Sequence, residues 1–421
     1  MSVSQPLTQA QAAMWLDYKR EPESAVNNTA ERIALRGPLD LDRLRQAILA
    51  MQREAEALHI RFFEQDGEPR QRVGEATQPP IALYDLTGAA DPLAAADRAI
   101  QQALTQRFSL EDGHLYDQTL YRLAPDHHLW VFRAHHITLD GYGFQLCKSR
   151  VAENYRALGG GGALPPAFSG FGPVIAEDLA YQRSAQRALD REALMRVYDG
   201  LDLPPVLFEE LGLLRGSRAS TQLPAQLGAK IRKTASEIKV SWPNLLFGVV
   251  AAFHARLTGE RDVLLGVPVM QRMGSAALKV PCMAMNMIPL RIRVDPGDTL
   301  PELARRASRA FDGLRPHQRY HYMHLWHDMN QKRLFGPEVN VIPFNTPLDF
   351  GPELTATVTN VASGPVEDLS FAFSSWGDSI QFTLDGHPSL YDQATLEAHQ
   401  RSLVAALDEG CGSPAAPAWV S

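Results

Sequence analysis

The residues best suited to chemistry lie in the stretch HLWVFRAHHITLDGYGF, residues 128–144. His135 and His136 end an apolar run and are followed by Asp140, Gly141 and Gly143. An imidazole titrates near neutral pH, so a histidine fixed at the end of a strand is suited to taking a proton from an amine or alcohol nucleophile. A nearby carboxylate can fix the imidazole tautomer, and the glycines leave room for a ligand. The stretch therefore predicts acid/base chemistry at a histidine.

Two other interpretations of this stretch stay open on the residues alone. Adjacent histidines on a strand point to opposite faces of a sheet, so His135 and His136 are poorly placed to share a metal ion, and no metal site is predicted. One histidine can instead be a buried structural residue, with Asp140 capping the helix that follows. The seven-residue pattern HHITLDG as a whole favours acid/base chemistry over both alternatives.

A strand and a helix must position this stretch. The apolar run 129–136 is typical of a strand, and apolar residues at helical spacing from Phe144 to Tyr155 predict a helix after Gly143. The Gly/Pro-rich segment 159–173 then marks a boundary. Earlier in the chain, Asp66-Gly67 between two apolar runs predicts a hairpin.

The rest of the chain alternates between helical and strand patterns. Helices are predicted at 177–201, 241–259 and 393–408, and strands at 261–269, 287–294, 339–344, 353–361, 368–376 and 379–386. The alternation predicts an α/β fold with mixed (α+β) sheets in two lobes. We place the lobes at 1–172 and 173–410, with 411–421 as a tail or linker.

The bulk composition excludes several classes of protein. A net charge of −7 argues against general nucleic-acid binding, which needs a basic face. No apolar run reaches the ~20 residues of a membrane span, and the first residues lack a signal-peptide pattern. The three cysteines are scattered and odd in number, which fits a reducing compartment. A cytoplasmic protein without disulfides is expected.

Several motifs, in order along the chain, resemble one family. HHITLDG resembles the His-His-x-x-x-Asp-Gly signature of the condensation-domain superfamily, which includes chloramphenicol acetyltransferase and the condensation domains of nonribosomal peptide synthetases. LTQAQAAMWL (7–16), GVPVMQR (266–272) and PCMAMNMIPLRI (281–292) resemble further motifs of the family. SGPVEDLSFAF (363–373) is similar to the condensation domains that start a synthesis.

The resemblance implies roles for the residues of the motif. It implies that His136 is catalytic and that His135 and Asp140 are structural. By this resemblance, the family's aspartate usually pairs with an arginine whose position is taken here by His59, with Arg61 two residues on. The expected partner of Asp140 is therefore Arg61, His59 or another cation.

The fold that the resemblance implies is a V of two chloramphenicol acetyltransferase-like lobes with a central tunnel. The donor thioester enters from one side and the acceptor from the other, and Gly141 lies where the backbone approaches the thioester. Residues expected to line the tunnel are Asn286, Asn340, Tyr142, Trp376 and Arg272, although each also has an ordinary structural interpretation. Lys148 and Arg150 are expected to meet phosphates of phosphopantetheine or coenzyme A.

The implied function is a starter condensation domain of a nonribosomal peptide synthetase. It joins an acyl thioester, for which a fatty acyl group is favoured, to the amine of a carrier-bound first amino acid. The alternatives are an aryl-acyl, siderophore-type starter, a free-standing N- or O-acyltransferase, and a non-catalytic recruitment platform.

No permanently bound cofactor is implied, because the substrates arrive on the phosphopantetheine of carrier proteins or on coenzyme A. The implied partners are an aminoacyl peptidyl carrier protein, an acyl-CoA or acyl carrier protein, and an adjacent adenylation domain. The chain itself is expected to be a monomer.

Overall fold

Two compact units make up the chain, which a computed structural model describes over residues 4–111, 114–160, 162–201, 214–330, 333–343 and 345–418. Unit 1 comprises Met1–Gln182, Met270–Met285 and Thr346–Gly364, and unit 2 comprises Arg183–Val269, Asn286–Asn345 and Pro365–Ser421. This division differs from the two continuous lobes predicted to meet at residue 172. The helix after that point packs Val174 and Ile175 into the core of unit 1, and two later segments return to the same unit.

The described residues of unit 1 form two sheets. Its strands are β1 (Gln5–Pro6), β2 (Asn28–Arg36), β3 (Ile60–Gln65), β4 (Glu68–Val73), β5 (Ala82–Asp85), β6 (Tyr116–Ala124), β7 (His127–His135) and β12 (Thr355–Ser363). Its helices are α1 (Gln9–Arg20), α2 (Leu41–Glu54), α3 (Pro92–Leu104), α4 (Gly141–Leu158) and α5 (Gly172–Gln182). One sheet has the order β1-β4-β3, and the other has the order β12-β2-β7-β6-β5.

The strand that carries the histidine motif lies in the middle of the five-stranded sheet. β7 pairs antiparallel with β2 on one side and β6 on the other, and every residue of β7 after His127 is buried. The predicted strand is therefore confirmed, and pairing on both edges makes its end a rigid support. The predicted hairpin is confirmed as well, because Asp66 and Gly67 adopt φ of 55° and 79°, as a two-residue turn requires.

The described residues of unit 2 form one six-stranded sheet. Its strands are β8 (Ser217–Gln222), β9 (Asp262–Val269), β10 (Asn286–Arg293), β11 (Glu338–Ile342), β13 (Leu369–Trp376) and β14 (Ser379–Gly386), in the order β10-β9-β11-β13-β14-β8. The helices in the described part of this unit are α6 (Gln186–Met195), α7 (Ala225–Glu237), α8 (Trp242–Thr258), α9 (Leu300–Leu314), α10 (Tyr322–Asp328) and α11 (Gln393–Gly412). The predicted mixed α/β class is confirmed.

Several predicted elements differ in extent or place. The single helix predicted over 177–201 is wrong, because α5 ends at Gln182 and α6 begins at Gln186, with the boundary between the units in the gap. The strand predicted at 353–361 is β12, which pairs with β2 in unit 1. Phe344, the last residue of the strand predicted at 339–344, lies outside the described residues.

The end of the chain also differs from the prediction. The final helix continues to Gly412, so the predicted tail begins inside its last turn, and residues 419–421 lie outside the described part. Across the described ranges, no helix combines the length and the apolarity that crossing a membrane requires.

Candidate active site

His136 lies just beyond β7, in the short loop that leads into α4. Its backbone N–H donates to the Asn27 carbonyl oxygen at 2.8 Å, which extends the ladder between β7 and β2 by one residue. Its side chain is half-buried, and its Nδ1 atom has no hydrogen-bond partner within the described ranges. Apart from its chain neighbours and the backbone of α4, no described residue has an atom within 4 Å of the position that a Cβ would take on the exposed Gly141. The sheet therefore holds the histidine, and the neighbouring backbone can be approached.

The surroundings of His136 favour its neutral form. Burial lowers the pKa of the imidazole, and the carbonyl oxygens of His136 and Leu139 and the Asp140 carboxylate oppose this only in part. A neutral imidazole at neutral pH is the form that can accept a proton from a nucleophile.

His135 points to the other face of β7 and is buried. Its Nδ1 accepts a hydrogen bond from the Ile137 N–H at 3.1 Å, so the ring proton must be on Nε2. Burial, together with the smaller effect of the adjacent His136, lowers the pKa of His135 to about 3. These contacts support a structural role for His135.

The neutral His135 predicts a loss of stability in acid. The unfolded chain binds a proton at this residue below about pH 6.5, whereas the folded chain does so only near pH 3. Because the unfolded state binds more protons between these values, the free energy of unfolding falls as the pH falls through this window. We expect His135 to contribute up to about 1.4 kcal/mol per pH unit.

The test is urea unfolding of the wild type and the His135→Asn variant at about pH 7 and about pH 5. The asparagine oxygen can still accept the Ile137 N–H but does not titrate, so the variant should lose less stability on acidification. If both proteins lost the same free energy of unfolding between the two pH values, a neutral, buried His135 would be contradicted.

Asp140 is the centre of a buried hydrogen-bond network. Its Oδ1 accepts the Gly143 N–H at 2.8 Å, which caps α4, and its Oδ2 accepts the Ala284 N–H at 3.0 Å. Arg272 Nη2 donates to Oδ1 and Oδ2 at 2.8 and 2.9 Å. The guanidinium also donates to backbone carbonyls of the segment 270–285, including that of Cys282 at 2.8 Å. The Arg272 side chain is fully buried, so the network fixes the loop after His136 to that segment.

This network identifies the partner of Asp140. Among the cations considered from sequence, neither His59 nor Arg61 contacts the carboxylate, and the "other cation" is Arg272. His59 instead has its Nε2 at 2.6 Å from the Gln52 carbonyl oxygen. Arg272 was predicted to line the tunnel, but its buried contacts with backbone carbonyls and Asp140 support a structural role instead.

Gly143 allows the two segments of this network to approach. A Cβ on Gly143 would lie 3.0 Å from the Cys282 carbonyl oxygen and 3.1 Å from Leu139 Cδ2. These distances are tighter than ordinary van der Waals contacts, so a larger residue would push α4 away from the segment 270–285. The sequence indicated room for a ligand at this glycine, but the space is taken by the protein's own backbone.

The remaining tunnel candidates fall in different environments. Asn286 is buried and donates to the Gln318 and Tyr320 carbonyl oxygens at 2.9 Å each, so these contacts support the structural interpretation of this residue. Asn340 is half-buried in β11, and Trp376 is half-buried at the end of β13. Tyr142 is half-buried next to Gly141, with Arg272 Cζ 5.0 Å from its ring centroid. For Asn340, Trp376 and Tyr142, a substrate contact stays a prediction.

The two expected phosphate ligands are occupied by internal ion pairs. Lys148 is fully buried and its ammonium pairs with Glu31. Arg150 pairs with Glu54 and, at 3.3 Å, with Glu153. These contacts do not support the prediction that Lys148 meets a phosphate, because its side chain is fully buried and paired with Glu31. Arg150 is nearly as enclosed, and its contacts do not support that role.

Sequence reasoning missed the backbone groups that complete the site. Cys282 and Ala284 contribute a carbonyl oxygen and an N–H, which leave no trace in residue type. Gly364, just after β12, was also missed, and a Cβ at this position would lie 3.9 Å from His136 Cδ2. Its backbone has a φ of 107°, a conformation that favours glycine. The residue type was therefore the only signal of this position in the sequence.

The fold and the site together define a class of protein. A neutral, half-buried histidine follows a central strand, and the loop after it contains an open glycine and the aspartate of a buried aspartate–arginine pair. The condensation-domain family model matches residues 1–418, so the chain belongs to the condensation-domain family. Condensation domains are acyltransferases that form amide bonds, and this chain is an enzyme of that class.

Comparisons with individual proteins agree with this membership. The chain is 36% identical to isonitrile lipopeptide synthase of Streptomyces coeruleorubidus, over 98% of this chain and 29% of the relative. It is 30% identical to enterobactin synthase component F of Escherichia coli O157:H7, over 99% of this chain and 33% of the relative. The chain thus spans about a third of the length of these curated relatives.

Solved structures match over nearly the whole chain. The first condensation domain of the calcium-dependent antibiotic synthetase, in complex with a substrate analogue, has a TM-score of 0.93 and 29% identity, covering 99% of both chains. The starter condensation domain of rhizomide synthetase, in a mutant complex with C8-CoA and Leu-SNAC, has a TM-score of 0.91 and 30% identity. That match covers 99% of this chain and 96% of the other.

Proposed function

We propose that this chain is the starter condensation domain of a nonribosomal peptide synthetase. It joins an acyl thioester to the amine of a carrier-bound first amino acid. The observation that carries the proposal is His136, a neutral and half-buried base held beside the open backbone of Gly141. The similarity to a starter condensation domain seen with C8-CoA supports the starter position.

The chemistry assigned to the site balances without a metal or an oxidant. The acceptor nitrogen attacks the thioester carbonyl carbon, a C–N bond forms, and the C–S bond breaks. His136 accepts the proton that the amine loses and returns a proton to the departing thiolate, so the products are an amide and a thiol. Holding both substrates beside one histidine supplies much of the rate.

The developing oxyanion needs a hydrogen-bond donor. Gly141 is the first residue of α4, where a backbone N–H has no partner inside the helix. The Gly143 N–H is already taken by Asp140. We therefore assign the Gly141 N–H, at the positive end of the helix, to the oxyanion.

The partners follow from the proposed reaction. The acceptor arrives on a peptidyl carrier protein loaded by an adenylation domain, and the donor arrives on coenzyme A or on an acyl carrier protein. A fatty acyl donor is the hypothesis favoured from sequence, and an aryl donor is its alternative. We expect a monomer in the cytoplasm, where the buried free thiols of Cys147, Cys282 and Cys411 stay reduced.

The test uses the chain with octanoyl-CoA and benzoyl-CoA as donors and aminoacyl N-acetylcysteamine thioesters as mimics of the carrier-bound acceptor. Mass spectrometry should show an N-acyl aminoacyl thioester that forms only with enzyme, donor and acceptor together. Matched hydroxyacyl thioesters, offered as acceptors in place of the aminoacyl thioesters, test the alternative in which the enzyme forms an ester. Product from the hydroxyacyl acceptors alone, or from no acceptor of either kind, would overturn the proposal.

A further inference from the structure

A second group of polar side chains lies in unit 1 and takes no part in the network around Asp140. We call it the Tyr116 cluster, and it consists of His59, Arg61, His114 and Tyr116. The ring centroid of Tyr116 lies 6.3 Å from that of His59 and 6.0 Å from that of His114. Burial lowers the pKa of both histidines, and the charge of the nearby Arg61 lowers both further. The cluster therefore combines one cation with neutral rings.

Each member of the Tyr116 cluster has a buried polar atom that has no hydrogen-bond partner among the residues that the structure describes. These atoms are His59 Nδ1, Arg61 Nη1, His114 Nδ1 and Tyr116 Oη. Tyr116 is 1% exposed and His59 is 3% exposed, so bulk water does not reach their side chains. Buried polar groups are nearly always satisfied by protein, ordered water or a ligand. Four unsatisfied atoms in one place therefore indicate a site for a polar guest.

The unsatisfied atoms include both donors and an acceptor. Arg61 Nη1 and the Tyr116 hydroxyl can donate. His59 Nε2 donates to the Gln52 carbonyl oxygen, so the neutral ring has a free lone pair on Nδ1. An oxygen that accepts from Arg61 or Tyr116 fits this set, and a hydroxyl group can also donate to His59.

The Tyr116 cluster lies beside the candidate catalytic histidine on one face of one sheet. Tyr116 pairs with Ala134 across β6 and β7, and its ring centroid lies 6.5 Å from that of Phe132. Alternate residues of a strand share a face, so Phe132, Ala134 and His136 point the same way. The hydrogen bond from the His136 N–H to Asn27 shows that the ladder continues to His136. Diagonal neighbours across such a ladder lie about 7–8 Å apart.

We propose that the Tyr116 cluster binds an oxygen-bearing substituent of the donor acyl group while the thioester carbonyl lies at His136. This inference rests on the proposed function, since it names the chemistry of the donor. It applies to a hydroxylated fatty acyl group and to a hydroxylated aryl group alike. The cluster thus acts as a specificity determinant, and Tyr116 and Arg61 are its hydrogen-bond donors.

The test compares matched coenzyme A thioesters that differ by one hydroxyl group. The pairs are octanoyl against 3-hydroxyoctanoyl, and benzoyl against 2-hydroxybenzoyl. We expect kcat/KM to favour the hydroxylated member of one pair by at least about tenfold, because a site built to bond a hydroxyl leaves polar groups unpaired without it. The preferred pair identifies the fatty or aryl source.

Two substitutions on β6 supply the variant and its control. Tyr116→Phe should remove most of the preference, because it deletes the hydroxyl that we assign to the oxygen of the substituent and keeps the ring. Tyr121→Phe, on the opposite face of the same strand where Tyr121 stacks on Tyr84, should keep the preference.

The outcomes separate this inference from the proposed function. Amide formation from the plain donors without preference for a hydroxyl would overturn the inference and leave the function standing. A preference that Tyr116→Phe does not reduce would also overturn it. If no thioester is turned over, calorimetry measures how tightly the same pairs bind. Tighter binding of a hydroxylated member that is lost in Tyr116→Phe would support the inference. Equal binding of both members would overturn it.

Discussion

The His136→Ala variant is expected to lose about 10²–10⁴-fold in kcat/KM for amide formation, the range that a positioned general base contributes. The loss should appear mainly in kcat, because the imidazole acts on the proton of the attacking amine rather than on the bulk of either substrate. Folding should be little affected, since the ring is half-buried and its Nδ1 has no hydrogen bond with the described residues. Single-turnover assays with intact-mass detection measure the effect.

A matched control lies at the other end of the same strand. His127 is half-buried at the start of β7, and it is eight residues from the end of the strand that supports His136. His127→Ala should therefore keep wild-type activity. If His136→Ala retained more than about a tenth of wild-type kcat/KM, positioning of the substrates rather than proton transfer would dominate the rate.

Asp140→Asn is expected to lower the free energy of unfolding by about 3–5 kcal/mol, because it leaves the fully buried Arg272 guanidinium without its counter-charge. The asparagine can still cap α4, so the cost reports the lost ion pair rather than the lost cap. Urea unfolding measures the change. Activity should fall as well, since the loop between His136 and α4 loses its contact with Arg272.

The control for this variant is the corresponding aspartate of another helix. Asp40 caps α2 and pairs with Arg43 at 3.2 Å, but both side chains are more than a third exposed. Asp40→Asn should therefore cost no more than about 1 kcal/mol. If both variants lost the same free energy of unfolding, burial of the ion pair would not explain the effect of Asp140→Asn.

A second variant covers the case in which Asp140→Asn does not fold. Combining it with Arg272→Gln removes both charges, and the double variant should be more stable than Asp140→Asn alone. A double variant that is no more stable would show that the charges are not coupled.

Local sequence patterns predicted the helices, strands and turns that are determined by residues close to them in the chain. The helix predicted at 241–259 is α8, with Ser241 accepting the Asn244 N–H as its cap and Gly259 ending it at φ 78°. The hairpin at Asp66-Gly67 and the strand before His136 are equally local. In each case, the deciding residues lie within a few positions of the element they start or end.

The contacts that complete the site were not predictable in the same way. Asp140 and Arg272 are 132 residues apart, and the pairing of β12 with β2 joins positions more than 300 residues apart, so nothing in the local pattern connects them. The internal ion pair of Lys148 is a different case, because the sequence contained a signal for it. Lys148 lies one turn from Phe144 and Val151 on the buried face of α4, which favours an internal partner over a ligand.

The three-segment make-up of unit 1 has a consequence for synthesis on the ribosome. Arg272 leaves the ribosome 132 residues after Asp140, a delay of roughly 7–26 s at typical rates of translation. The last strand of the five-stranded sheet, β12, follows later still. During this time, the loop after His136 lacks its ion pair with Arg272, because most of the chain must be made before that arginine is present. A nascent chain stalled before residue 270 is expected to be open to proteases at this loop, and one stalled beyond β12 should resist them.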